Sequence, residues 1–126
     1  MYTIEHAAVY AADAPRLKDF YVETFGMKVA LESGGSPPGY FLTDDRGMAV
    51  EIIGRPAGQI GAPQRWVCHL AFLVDDFRAA YDRLEQRGLT FETDTYRDDD
   101  RLRTAFFQDP EGNRLQIIWR KDKLGD

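Results

Sequence analysis

Apolar and polar positions follow the same order twice along this chain. Residues 3–10 form a mostly apolar run typical of a strand, and Asp13 before Ala14-Pro15 is typical of a helix N-cap with proline in the first turn. Apolar residues then recur at helical spacing until Gly26, which predicts the end of the helix. Three short strands are predicted next, over residues 27–32, 40–43 and 48–53.

The second half of the chain repeats this order. A strand is predicted over 67–74, a helix begins at an N-cap of Asp75 or Asp76, and Gly88 ends that helix. Its remaining strands are predicted near 89–94, 103–108 and 114–119. A turn-rich segment separates the halves, and each half alone is small for an independent core. We therefore predict one domain over 1–126, made of a module 1–54 and a module 66–120 joined by a connector 55–65.

Four side chains with metal-binding chemistry occupy equivalent positions in the two modules. His6 and His69 are the only histidines and lie in the first predicted strand of each module, while Glu51 and Gln116 lie in the last strands. A carboxylate between apolar strand residues is costly to bury unless it is paired or bound to a metal. Imidazole and carboxylate groups bind zinc, nickel, cobalt, manganese and iron(II). The repeat thus predicts that the four side chains converge on one divalent ion.

The alternative is a site that has lost its metal. In that case the histidines are hydrogen-bonded within a core, and the glutamate pairs with Arg103 or Arg114. Cys68, the single cysteine, invites a nucleophile interpretation, but strand alternation points it away from the neighbouring imidazole, so a buried thiol is expected.

Aromatic residues are frequent in the predicted strands, and most belong to the core. One or two on the histidine face would form an apolar wall of a pocket, and Tyr40 and Phe107 are the candidates. With Arg103, they are the residues we predict to contact a substrate.

Charge and composition narrow the class of partner. The net charge is −5 and the pI about 5.0, with no basic stripe, which argues against nucleic acid or an anionic membrane as the main partner. No apolar run approaches the length of a membrane span, and the first residues lack the features of a signal peptide. We expect a cytoplasmic protein that binds a small molecule.

The paired modules, the histidine on each first strand and the segment Asp109-Pro110-Glu111-Gly112-Asn113 before the last strand resemble the vicinal oxygen chelate superfamily. This superfamily includes glyoxalase I, fosfomycin-resistance enzymes, extradiol dioxygenases, methylmalonyl-CoA epimerase and bleomycin-binding proteins. The resemblance implies an α+β fold of two βαβββ modules whose mixed sheet curls around a cleft. It implies homodimers, and a divalent ion that is chelated by vicinal oxygens of the substrate and held by His6, Glu51, His69 and Gln116.

Gln116 departs from this pattern, because the last ligand position usually carries glutamate. An amide coordinates more weakly than a carboxylate and cannot accept a proton. The departure favours a glyoxalase-like isomerase or lyase in which Glu51 acts as the catalytic base. A dioxygenase-like member remains an alternative. A second alternative is a non-catalytic, drug-sequestering binding protein that needs no metal.

Overall fold

The order of strands and helices is the same in both halves of the structure. The computed structural model describes residues 5–54, 69–122 and 124. The first half contains β1 (His6–Ala11), α1 (Ala14–Phe25), β2 (Lys28–Ser33), β3 (Gly39–Thr43) and β4 (Ala49–Gly54). The second half contains β5 (Leu70–Leu73), α2 (Phe77–Gln86), β6 (Arg97–Asp98), β7 (Leu102–Gln108) and β8 (Arg114–Arg120).

Each half builds a four-stranded mixed sheet. The strand order is β1-β4-β3-β2 in one sheet and β5-β8-β7-β6 in the other. In both sheets the first strand pairs in parallel with the last, and the other pairs are antiparallel. The predicted α+β fold of two βαβββ modules is confirmed.

The described residues group into two compact units that differ slightly from the sequence repeat. Unit 1 lies within Met1–Ala62 and also contains Asp109–Asn113, while unit 2 lies within Pro63–Gln108 and Arg114–Asp126. The turn before β8 therefore belongs to unit 1. The predicted connector lies outside the described residues.

The helix boundaries agree with the predicted capping residues. The carboxylate of Asp13 accepts a hydrogen bond from the backbone N–H of Arg16, and α1 ends at Gly26 in the left-handed conformation, with φ of 68°. Asp76, one of the two predicted caps, accepts from the backbone N–H of Ala79 at the start of α2. No helix in the described part of the chain is long and apolar enough to span a membrane.

The strand predicted near 89–94 is wrong. The second strand of this module spans only Arg97–Asp98. In the preceding segment, the backbone N–H of Glu92 donates a hydrogen bond to the carbonyl of Phe106 on β7. The side chain of Glu92 accepts hydrogen bonds from Arg114 and Thr95. Glu92 is thus held by a side-chain bond to a nearby residue and by two bonds to Arg114 of β8.

Each sheet has one face that packs against a helix, and in unit 1 the opposite face is open, with His6 and Glu51 partly exposed on it. In unit 1, α1 packs on β3 and β4, against buried residues that include Leu42 and Ile52. In unit 2, α2 packs on β8 and β7, against buried residues that include Leu115 and Ile117. Because side chains alternate along a strand, the residues between these core positions lie on the opposite faces.

Hydrogen bonds to the buried carboxylate of Asp109 connect the turn before β8 to the rest of unit 1. This carboxylate accepts hydrogen bonds from the Tyr21 hydroxyl at 3.0 Å and from the Asn113 amide at 2.8 Å. The Asn113 amide also donates to the Tyr10 carbonyl of β1 at 2.9 Å. Burial raises the pKa of Asp109, and burial followed by the neighbouring carboxylate raises the pKa of Tyr21.

Candidate metal-binding residues

His6 and Glu51 lie side by side on the open face of unit 1. The parallel register pairs His6 with Ala49 and Ala8 with Glu51, which places both side chains on the same side of the sheet. Nε2 of His6 is 3.5 Å from Oε1 of Glu51. Their side chains are 37% and 29% exposed, so solvent and a ligand can reach them.

The separation of these two atoms suits two ligands of one ion. At 3.5 Å the pair is too long for a good hydrogen bond, which spans about 2.7–3.2 Å. Two nitrogen or oxygen ligands at about 2.0–2.2 Å from a tetrahedral ion are about 3.3–3.6 Å apart. The observed distance lies within that range, so this pair fits a divalent metal.

Phe41 borders this pair on the open face. The antiparallel register pairs it directly with Glu51. Its ring meets the His6 ring edge to face, with centroids 5.3 Å apart and planes at 87°. Contact with an aromatic ring limits the rotation of the imidazole.

The second pair, His69 and Gln116, is built differently because Gln116 is buried. It is only 8% exposed, and its register pairs it with Ala71 on β5 and Phe106 on β7. Nε2 of Gln116 donates a hydrogen bond to the Thr104 hydroxyl at 2.6 Å. That hydroxyl donates its own proton to the Ile117 carbonyl at 3.1 Å.

Thr104 therefore fixes the orientation of the Gln116 amide. With its proton engaged by Ile117, the hydroxyl can only accept from Gln116, so the amide nitrogen must face Thr104. The carbonyl oxygen then lies on the other side of the amide. This oxygen is the atom of the side chain that can bind a cation.

Phe106 has the same relation to His69 that Phe41 has to His6. Its centroid is 5.3 Å from that of His69, with the planes at 76°. Its other neighbour is Arg114, whose guanidinium carbon is 3.8 Å from the ring centroid. Arg114 is buried and donates two hydrogen bonds of 2.9 Å to the Glu92 carboxylate. The Phe106 ring therefore packs against a guanidinium that this ion pair holds in place.

Tyr40 and Phe107 do not lie on the histidine faces. Both are buried on the helix faces, where Tyr40 lies beneath Lys18 of α1 and Phe107 contacts Phe91. The expectation that they wall a pocket on the histidine face is wrong by one residue, because alternation gives that position to their strand neighbours. A signal in the sequence could have found these neighbours, since Phe41 and Phe106 are separated by the same 65 positions as Glu51 and Gln116.

Arg103 also lies on the helix face of its sheet, opposite Trp119 in the register. Its guanidinium pairs with Asp98 at 3.1 Å and stacks over the Trp119 ring at 4.7 Å. Of the two arginines considered as partners of Glu51, Arg103 thus pairs with Asp98 and Arg114 with Glu92. Among the described residues, His6 is a basic group that lies beside Glu51.

Within each unit, no three His, Cys, Asp or Glu side chains among the described residues form a group that could hold a metal ion. Unit 1 thus offers a pair of predicted ligands, and in unit 2 His69 and Gln116 both adjoin Phe106. That all four ligands meet at one ion stays a prediction. Cys68 lies outside the described residues.

Comparison with known proteins agrees with this architecture. The chain is 29% identical over 121 residues to the uncharacterized protein YaeR of Escherichia coli (strain K12), covering 90% of this chain and 93% of that protein.

Two solved structures share the fold. The antibiotic binding protein TnmS3 from Streptomyces sp. CB03234 has a TM-score of 0.74 and 22% identity, covering 96% of this chain and 98% of that one. The fosfomycin resistance protein FosX from Listeria monocytogenes, solved with Mn(II) and sulfate, has a TM-score of 0.74 and 16% identity, covering 98% and 93%. A family model matches residues 3–117. The chain therefore belongs to the Glyoxalase/Bleomycin resistance protein/Dioxygenase superfamily.

Proposed function

We propose that this protein is a divalent-metal-dependent, glyoxalase-like isomerase or lyase that acts on a small oxygenated substrate. In this proposal the ligands of the ion are His6, Glu51, His69 and Gln116, and Glu51 is also the catalytic base. The ion is zinc, nickel, cobalt, manganese or iron(II), all of which accept imidazole nitrogen together with carboxylate and amide oxygen.

The observation that carries this proposal is the His6–Glu51 pair. An imidazole nitrogen and a carboxylate oxygen face each other at 3.5 Å, which is longer than a hydrogen bond and matches the separation of two ligands on one ion. Both side chains are partly exposed on an open sheet face rather than packed in a core.

The chemistry that a bound ion supplies is polarisation of a substrate carbonyl, which acidifies the neighbouring carbon. Glu51 provides the proton transfer: its carboxylate accepts the proton released when that C–H bond breaks and returns it to the adjacent carbon. Gln116 cannot share this task, because an amide does not accept a proton at neutral pH. The basic group is therefore on one side of the substrate, which suits an isomerase or lyase with a single base.

Assays of purified, tag-free protein test this proposal. We expect near-stoichiometric divalent metal, and turnover of α-ketoaldehydes such as methylglyoxal, with or without an added thiol. Glu51→Gln should reduce turnover by about 100-fold or more, because general base catalysis contributes about 10²–10⁴ in rate. Glu23→Gln, an exposed glutamate on α1, is the matched control and should leave turnover unchanged. Equal turnover in the parent and Glu51→Gln would contradict the catalytic role.

A second candidate function is a metal-free binding protein, and the specific observation in its favour is Gln116. The side chain is neutral, buried and hydrogen-bonded to Thr104, as expected of a group that completes a core. TnmS3, which is described as an antibiotic binding protein, shares the fold. Protein purified without metal that binds aromatic drugs in the presence of a chelator would favour this function over the enzyme.

A further inference from the structure

The contact between Glu5 and His6 suggests a role for a residue outside the four predicted ligands. Oε1 of Glu5 is 2.8 Å from Nδ1 of His6, a short distance that is typical of a hydrogen bond to a charged group. Glu5 is the residue before β1 in the described chain, and its side chain is 83% exposed. Its position is nevertheless defined, because its backbone carbonyl accepts a hydrogen bond of 2.9 Å from the N–H of Ala49 on β4.

The two distances around the His6 ring determine which nitrogen carries the proton. A carboxylate can only accept a hydrogen bond, so Nδ1 must be protonated to bond with Glu5 at 2.8 Å. The other nitrogen faces Glu51 at 3.5 Å, beyond the usual length of a hydrogen bond. In the neutral ring, Nε2 therefore presents a lone pair toward Glu51, and this is the form that binds a metal.

We infer that Glu5 is a positioning residue that holds His6 as its Nδ1–H tautomer and turns Nε2 toward the ion. Histidines that bind metals usually donate their other ring N–H to a carboxylate, a carbonyl or water, which fixes the tautomer and makes the ligating nitrogen more basic. This inference rests on the proposed function for the identity of the ion, but the tautomer itself does not depend on a metal.

The second module offers an internal reference for this inference. The residue before His69 is Cys68, which has no carboxylate. Since the chain has only two histidines, a spectrum of the ring nitrogens shows two rings, and only that of His6 should respond to a change at Glu5.

The test is nitrogen NMR of histidine-labelled apoprotein at a pH where both rings are neutral. In the parent, His6 should be in the Nδ1–H form. In Glu5→Ala it should shift toward the Nε2–H form that free histidine favours in water, while His69 stays unchanged. Glu5→Gln keeps an acceptor oxygen and should keep the parent tautomer. An unchanged His6 tautomer in Glu5→Ala would overturn the inference.

Metal affinity supplies the second measurement, by titration of zinc or nickel into the same proteins. Glu5→Ala should weaken binding by about 10- to 100-fold, the usual effect of losing such a carboxylate. The control Glu23→Gln should bind as the parent does, and the melting temperatures in chelator should agree because Glu5 is exposed. Unchanged affinity in Glu5→Ala would overturn the positioning role. A parent protein that binds no ion would overturn the proposed function, while the tautomer measurement would still decide the Glu5–His6 link.

Discussion

Substitution Gln116→Glu introduces a negative charge at a side chain that is 8% exposed. The glutamine donates its amide N–H to the Thr104 hydroxyl, and a carboxylate has no proton to donate. To bond with the new carboxylate, Thr104 must rotate its own proton away from the Ile117 carbonyl. One buried hydrogen bond is lost in either arrangement.

The cost of this change follows from the burial. A buried partner left unsatisfied costs about 1–3 kcal/mol. Removing a carboxylate from water costs several kcal/mol. This cost is smaller if the buried group takes up a proton and becomes neutral. We therefore expect the metal-free variant to be less stable than the parent by about 2–4 kcal/mol, which for a chain of this size lowers the melting temperature by about 10 °C.

Added metal should reverse this loss. A carboxylate offsets more of the charge of the ion than an amide does, so the variant should bind zinc, nickel or manganese more tightly than the parent. An ion at 100 times its dissociation constant stabilises the folded state by about 2.7 kcal/mol, enough to recover most of the loss.

Thermal melting in chelator and with each ion measures both effects, and Gln86→Glu, on the exposed end of α2, is the matched control. If the variant is as stable as the parent in chelator, the burial argument is refuted. If it is less stable and gains nothing from any ion, the metal hypothesis is refuted and the binding protein is favoured.

Three further predictions concern the surrounding structure. Tyr21→Phe should lower the free energy of unfolding in urea by about 1.5–3 kcal/mol, because the buried carboxylate of Asp109 loses a donor; no change would show that this bond is dispensable. Thr104→Val should cost about 1–3 kcal/mol and weaken metal affinity, because the Gln116 amide loses the acceptor that orients it; unchanged affinity in a metal titration would contradict that role. Backbone N–H bonds lower the pKa of Asp99 to about 2, so its contribution to stability is present above about pH 4 and is lost as the pH falls through 2. The difference in melting temperature between the parent and Asp99→Asn should therefore close over that range, and a constant difference would contradict it.

The fold could largely be predicted from the sequence because its signals are local. Asp13 and Gly26 bound α1 through their own backbone and side-chain chemistry. The prediction of a strand near 89–94 failed, because this segment makes contacts that are distant in the sequence. The carboxylate of Glu92 accepts hydrogen bonds from Thr95 and from Arg114, and Arg114 lies 22 positions away in the sequence.

The candidate site was predicted less completely, because the neighbours of a side chain depend on strand register. Tyr40 and Phe41 are adjacent aromatic residues, and only the pairing of β3 with β4 shows that Phe41 is the one beside Glu51.

The contact of Glu5 with His6 could not be predicted for a different reason. Simple alternation would point Glu5 away from His6, but it lies before β1, where its side chain can fold back to the ring.

Metal binding by histidine variants tests the central claim most directly. The parent, His6→Ala and His69→Ala would each be purified without a tag, stripped of metal and titrated with zinc, nickel and manganese in a calorimeter. We predict near-stoichiometric binding by the parent and a loss of at least 10-fold in affinity in each variant, because each removes a ligand of the ion. A parent that binds none of these ions, or either histidine variant binding as tightly as the parent, would contradict the claim.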